Sequence, residues 1–313
     1  MVTFAEESSP SPISLSMYRA ISDSETEWVP ADSPSCSEFS ATEILLITWN
    51  INAAEDLAKE RFIRIITHLR KKALGDSKIP PPCCILLQEV HEEVLSALLK
   101  HEWVRDNFLV TPINAAEWGT QYGNITLVSN TVPVSTVFFA ELPMSKIGRH
   151  AIFVDVHLSA PPPESEEQVR DKRIRTIRIA NTHLEPEPPH GRRDVRPRQL
   201  KQIARLLNVP NIEAFICAGS MCSLGASDKV APSQAGFADA YKGAKRDSMT
   251  WGYQPRTQRL PCRLDKVLYF PTERVEIASP TRIGFRARMA TGRDLYLSDH
   301  CGLSTKVKVL RDC

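Results

Sequence analysis

Five short apolar runs in this chain end on a side chain able to hold a cation or a phosphate, and a sixth is preceded by one. Asn50 follows EILLITW, Glu89 follows CCILLQ, His183 ends RIRTIRIANTH, Ser220 follows AFICAG and Asp265 follows CRL, while Asp299 and His300 form SDH ahead of CGLSTKVKV. A hard dication such as Mg²⁺ takes oxygen ligands, which a carboxylate such as Glu89 and an amide such as Asn50 supply. A metal beside a phosphate oxygen polarises phosphorus and stabilises the leaving oxyanion. A histidine oriented by a carboxylate can hydrogen-bond to a phosphoryl group or protonate it. Each residue also has a purely structural reading. Asn50 caps a loop, Glu89 is a helix N-terminal charge, His183 is a hydrogen-bonded core histidine and Asp299 is a turn residue. The shared pattern of strand followed by polar residue weighs against reading all of them so.

The elements that must position these side chains follow from periodicity. EILLITWNIN reads as a strand, EDLAKERFIRIITHLRKKAL as an amphipathic helix stopped by IPPPC, and CCILLQEV as the next strand. HEEVLSALLKHEWV is a second helix. QYGNITLVSN, STVFFAEL, GRHAIFVDVHL and RIRTIRIANTHLE are strand-like, RPRQLKQIARLLN is helical, AFICAG is a buried strand, and RLDKVLYF and HCGLSTKVKVL are late strands. Helices separate strands early, and strands follow strands in the middle. That order predicts an α/β fold with two sheets packed face to face and helices outside. A sheet edge then presents the polar strand-end residues together, as rigid scaffolds do for catalytic groups.

The chain has 313 residues and 42% hydrophobic content, enough for one large core. No run of about 18 apolar residues predicts a membrane span, and the Ser-, Pro- and Glu-rich start does not read as a signal peptide. An intracellular protein, nuclear or cytoplasmic, is therefore expected, as a monomer. Residues 1–42 lack periodicity and carry seven acidic side chains against Arg19 alone, so a disordered tail is expected there, with Tyr18 and Trp28 weighed as a short interaction motif. A domain over 43–313 follows. It holds 38 basic and 30 acidic residues, a balance that suits a polyanion. The eight cysteines show no zinc spacing and are expected as buried free thiols.

TWNIN, LQEV, YGNITLVS, NTHLE, RLDKVLY and SDHCGL occur in the order and approximate spacing of the endonuclease/exonuclease/phosphatase superfamily. Within it the chain most resembles the 5′-tyrosyl-DNA phosphodiesterases, through TWNIN, LQEV, NTHLE and DSMTWGYQ…CRLDKVLY. The resemblance spans Glu43 to the C-terminus and implies a four-layered α/β sandwich. It implies Glu89 as the principal metal ligand with Asn50 beside it, His183 on the phosphate, Asp265 orienting His300, and Asp299 supporting the metal side. Tyr122 and Asn124 of YGNITLVS fall at the substrate. The implied activity is Mg²⁺- or Mn²⁺-dependent release of a tyrosyl group from a DNA 5′-phosphate, serving DNA repair, with single-stranded or 5′-end DNA as partner. Arg192, Arg193, Arg196 and Arg198, just after His183, are candidates for holding a nucleic-acid backbone. Trp251 is a candidate for stacking on a base or tyrosyl ring, with core packing as its other reading.

One motif departs. Where the family reads Gly-Asp-X-Asn after a buried strand, this chain reads Gly219, Ser220, Met221 and Cys222. The family aspartate activates or orients water. A serine hydroxyl is no useful base, and loss of a general base typically costs about 10²–10⁴ in rate. Cys222 offers only a weak donor where asparagine would serve. A Ser220–Cys222 nucleophile would need an adjacent base, and metal-dependent hydrolysis needs no covalent step. Three readings stay open: a weakened phosphodiesterase, a pseudoenzyme binding nucleic acid or protein through the old cleft, and another phosphoester hydrolase of the superfamily.

Overall fold

The structure, a computed structural model, describes residues 11–31, 41–52, 57–161, 173–186, 194–255, 257–258, 260–290 and 295–311. Its strands are β1 (Ile13–Ser14), β2 (Tyr18–Ala20), β3 (Trp28–Pro30), β4 (Glu43–Asn50), β5 (Cys83–His91), β6 (Phe108–Thr111), β7 (Tyr122–Ser129), β8 (Val134–Glu141), β9 (His150–Ser159), β10 (Ile174–His183), β11 (Ala214–Ser220), β12 (Ala238–Asp239), β13 (Asp265–Tyr269), β14 (Val275–Ile277), β15 (Thr281–Ile283) and β16 (Gly302–Val309). Its α-helices are α1 (Ala58–His68), α2 (Glu92–Lys100), α3 (Glu102–Asn107), α4 (Val195–Leu207) and α5 (Ala226–Gln234).

Among the described residues these strands form two mixed sheets. One runs β1-β8-β9-β10-β11-β13-β12 and the other β14-β16-β4-β5-β7-β6-β2-β3, with β15 also on β16. Alternation sends every second apolar side chain inward. Leu46, Leu86 and Val128 of one sheet meet Ile152, Ile179 and Ile216 of the other in a shared core. The opposite faces are covered too. Ile47, Ile85 and Leu87 pack with Phe62, Ile65 and Leu98 of α1 and α2, and Phe153, Ala180 and Cys217 pack with Leu200 and Ile203 of α4. Two buried faces explain why β4, β5 and β11 read as near-continuous apolar runs. The order of layers is helix, sheet, sheet, helix, as expected from sequence. The described free cysteines are buried, apart from the half-buried Cys262. No described helix is long and apolar enough to cross a membrane.

The stretch expected as a disordered tail differs from the structure over residues 11–31. β1 pairs with β8, and β2 pairs with β3 and β6, so this segment closes an edge of each sheet. Met17 is buried, Trp28 Nε1 donates to Leu99 O at 3.1 Å, and the Arg105 guanidinium sits over the Trp28 ring and donates to the Ile21 and Ser24 carbonyls. Trp28 and Tyr18 are therefore docked in a sheet edge rather than displayed as a linear motif.

Candidate active site

The ends of β4, β5, β10, β11 and β13 and the turn before β16 converge at one rim of the sandwich. Asn50 closes β4 and is fully buried. Its Nδ2 donates to Glu89 Oε1 at 2.9 Å while its Oδ1 accepts the Asn52 N–H. Glu89 sits where β5 slips register against β7, between Leu87 and Val90, with φ +56°. Such a bulge re-aims a side chain, and it leaves the Glu89 carboxylate 3.7 Å from His183 Nε2. Ser298 Oγ donates to Asn50 O at 2.7 Å and accepts the His300 N–H, joining the SDH turn to β4.

His183 and His300 have opposite surroundings. Arg149 Nη1 lies 2.9 Å from His183 Nδ1. A guanidinium only donates, so Nδ1 accepts and the ring proton sits on Nε2, toward Glu89. Burial first, then Arg149, His300 and His150, push the His183 pKa well below the usual imidazole range. His300 Nδ1 lies 2.8 Å from Asp265 Oδ2. Burial alone would depress His300, but the charge and hydrogen bond of Asp265, helped by Asp299 and Glu89, raise it to about 9. At neutral pH the cleft thus holds a neutral His183 and an imidazolium at His300.

Ser220 lies between them in register, opposite His183 on β10 and Asp265 on β13. It is fully buried, with Cys222 Sγ 3.8 Å from its Oγ. Cys222 Sγ donates to Leu184 O, and burial pushes its thiol up to about 12. Cys222 has φ +46°, a left-handed conformation that asparagine tolerates better than cysteine.

Other expected site residues are placed differently. Tyr122 lies beneath the Arg149 guanidinium, 5.7 Å from ring centre to Cζ. Asn124 is turned inward, its amide donating to His150 O and its N–H to His150 Nε2. Trp251 Nε1 donates to Asp299 Oδ2 at 2.9 Å, so it fixes that carboxylate. Arg196 does not reach the cleft: it is buried and spends its donors on both Asp228 oxygens and the carbonyls of Glu185 and Pro186. Its position on the first turn of α4 points it at α5, which corrects the phosphate-binding expectation. Arg198 pairs with Asp194 on the surface. Arg192 and Arg193 lie outside the described residues.

Sequence reasoning missed Arg149, Ser145, Gln88 and Asn181. Ser145 Oγ donates to Glu185 Oε2 at 2.7 Å and accepts the Arg149 N–H at 2.8 Å, holding the turn that carries Arg149. Gln88 Nε2 donates to Asn181 Oδ1 at 2.8 Å, and Asn181 Nδ2 to Ile125 O, tying the two sheets behind the site. Arg149 precedes its strand instead of ending it, so a search for strand-end polar residues passes over it.

A hard dication fits these donors in one mode. No three His, Cys, Asp or Glu side chains converge as a cage among the described residues. Mg²⁺ does not need one, since it commonly takes one or two carboxylates with waters and substrate phosphate. Glu89 carries an accessible carboxylate, and Asp299 Oδ1 is buried without a hydrogen-bond partner. Both act on the His300 charge, so both border the same space.

Comparison with known proteins agrees on the fold. TDP2 from D. rerio, solved with a single-strand DNA product, superposes with a TM-score of 0.63 at 18% identity over 85% of this chain and 99% of that one. The human Nocturnin catalytic domain with bound sulfate gives 0.55 at 18% identity over 86% and 95%. An endonuclease/exonuclease/phosphatase family protein from Leptotrichia buccalis gives 0.54 at 13% identity over 85% and 99%. No family profile matches the chain, and no curated protein matches it in sequence. The four-layered α/β fold of these proteins is the fold of this chain.

Proposed function

We propose that this cleft binds the phosphodiester at a nucleic-acid 5′ end, beside a divalent cation held by Glu89, and hydrolyses it poorly. The observation that carries this reading is the state of the groups around Ser220. Asp265 Oδ2 is committed to His300, the Cys222 thiol is held protonated, and the His183 Nδ1 lone pair is occupied by Arg149. Among the described residues Ser220 supplies no carboxylate there, and the unpartnered Asp265 Oδ1 belongs to the carboxylate already paired with His300. The side of the cleft assigned to phosphate keeps its cationic and carboxylate groups. The His300 imidazolium feels the carboxylates of Asp265, Asp299 and Glu89, Arg149 holds His183, and donors preset in a buried site favour developing negative charge on phosphate oxygens. A bound Mg²⁺ or Mn²⁺ would add Lewis-acid polarisation of the phosphoryl oxygen.

The 5′-tyrosyl-DNA substrate class rests on the motif resemblance together with Tyr122 and Arg149, which form a flat cationic stack beside the phosphate site. The test is a 5′-tyrosyl oligonucleotide with Mg²⁺ under single-turnover conditions. Slow release of tyrosine, abolished in Glu89→Ala while oligonucleotide binding in metal-free buffer persists, supports the reading. Faster turnover of a soluble inositol phosphate or a phospholipid head group would overturn the substrate class.

The second reading is a binding protein without turnover, and the hydroxyl that Ser220 presents where a carboxylate would act as base favours it. It predicts salt-dependent binding of single-stranded DNA with no release at any metal concentration.

A further inference from the structure

Beyond the cleft, the loop over residues 241–247 and the segment over 279–288 border an open hollow of ≈ 480 Å³, lined by Tyr241, Asp247, Thr281, Arg282 and Phe285 among others. These two segments carry six basic residues, Lys242, Lys245, Arg246, Arg282, Arg286 and Arg288, against the single carboxylate of Asp247. Flat groups are interleaved with the charges. Arg282 lies 4.6 Å over the Phe285 ring and 5.8 Å over Tyr253, Arg286 lies 5.2 Å over Phe285, and Tyr253 meets Phe285 edge-on at 5.5 Å. Phe285 is a large apolar side chain left 41% exposed, so this ring is not serving the core.

The patch is also joined to the catalytic turn. The Arg286 N–H donates to Gln254 Oε1 at 2.7 Å, and the buried Gln254 Nε2 donates to the carbonyls of Ser298 and His300. Trp251, which holds Asp299, is two residues from Tyr253. A buried hydrogen-bond chain therefore ties this patch to the turn that carries Asp299 and His300.

Cations mixed with exposed rings and guanidinium planes suit one ligand chemistry above others. Phosphates of a single strand meet the charges, and unstacked bases extend the flat cluster, with no base-specific hydrogen bonds required. An acidic peptide would use the charges but leave Phe285 without a role. The geometry points to the Tyr241–Asp247 and Ser279–Arg288 surface as a binding track for single-stranded nucleic acid continuing from the cleft. This rests on the nucleic-acid reading of the cleft and gives it a direction.

The test uses the full chain and fluorescence anisotropy with two probes, a 15-nucleotide oligothymidylate and a 5′-phosphorylated dinucleotide that occupies the cleft alone. Phe285→Ala/Arg286→Gln should raise the Kd for the 15-mer about tenfold or more and leave the dinucleotide unchanged, with an unaltered melting temperature. Lys245→Gln/Arg246→Gln should lower the slope of log K against log salt by about 1.4, as expected for two lost single-strand phosphate contacts. If the parent binds the 15-mer and the Phe285/Arg286 variant binds it equally, the track is wrong and the cleft reading stands. An equal loss for both probes would place the effect in the cleft and overturn the track. Failure of the parent to bind either probe overturns both.

Discussion

His300 shares a 2.8 Å hydrogen bond with Asp265, whereas His183 is buried and faces the Arg149 guanidinium at 2.9 Å, and these surroundings shift the two imidazoles in opposite directions. The sign of each contribution to stability follows. With its folded pKa raised to about 9, His300 stabilises the fold fully below its ordinary value near 6.5, and that contribution is lost as pH rises through about 9. His183, depressed by burial and by Arg149, costs stability as pH falls below about 6.5, where the unfolded chain takes the proton that the fold refuses. Titration of the imidazole resonances in metal-free buffer should show His300 near 9 in the parent. In Asp265→Asn, burial loses its main opponent and the midpoint should fall toward 6.5; an unchanged midpoint would show that Asp265 is not the cause. Arg149→Ala frees His183 Nδ1 and removes the cation nearest the phosphate side. It should weaken binding of a 5′-phosphorylated oligonucleotide by about tenfold or more, measured by anisotropy. The gathering of Asn50, Glu89, Asp265, Asp299 and His300 at one rim was legible because each adjoins an apolar strand. Arg149 was not, since an arginine ahead of a strand has no local mark separating it from a solvated one.

At the scale of elements, the site depends on two irregularities. The bulge at Glu89 turns its carboxylate into the cleft. Gly219, at φ +144°, lets β11 pass against β10 beside His183, where an added Cβ would lie 1.8 Å from Thr182 O. Gly219→Ala should therefore cost about 3 kcal/mol or more, from backbone strain plus displacement of β10, and chemical denaturation would measure it. Long periodic elements such as α1, α2, α4 and the central strands could be read from sequence, because one or both faces are buried and the apolar pattern records it. β1, β2 and β3 could not. Strands of two or three residues carry no period, and they exist because they satisfy the open edges of β8 and β6. α5 was missed for a related reason: Pro232 inside it hides a short helix held by Asp228, which accepts from the Leu224 and Gly225 N–H groups. Removing residues 1–31 should expose both sheet edges, lower the melting temperature and promote self-association detectable by light scattering.

Across the whole molecule, buried polar pairs link parts that no sequence pattern joins. Gln88 and Asn181 connect the two sheets directly behind Glu89 and His183. Arg196 joins α4 to α5 through Asp228, at 2.7 Å and with both partners buried. Arg196→Ala should leave oligonucleotide affinity unchanged yet cost about 3–5 kcal/mol, because it strands the Asp228 carboxylate in the interior. A matched loss of affinity would instead return Arg196 to the substrate. The basic domain, the rim that gathers His183 and His300 and the basic aromatic surface beyond it all suit a polyanion, while Ser220 puts a hydroxyl rather than a carboxylate at one corner of the cleft.

That corner is the most direct place to measure. The parent and Ser220→Asp/Cys222→Asn should be compared on a 5′-tyrosyl oligonucleotide with Mg²⁺ under single-turnover conditions. The predicted result is a gain of about 10²–10⁴ in hydrolysis rate for the double variant, with binding little changed. Equal or slower hydrolysis by a folded double variant that still binds the oligonucleotide would contradict it.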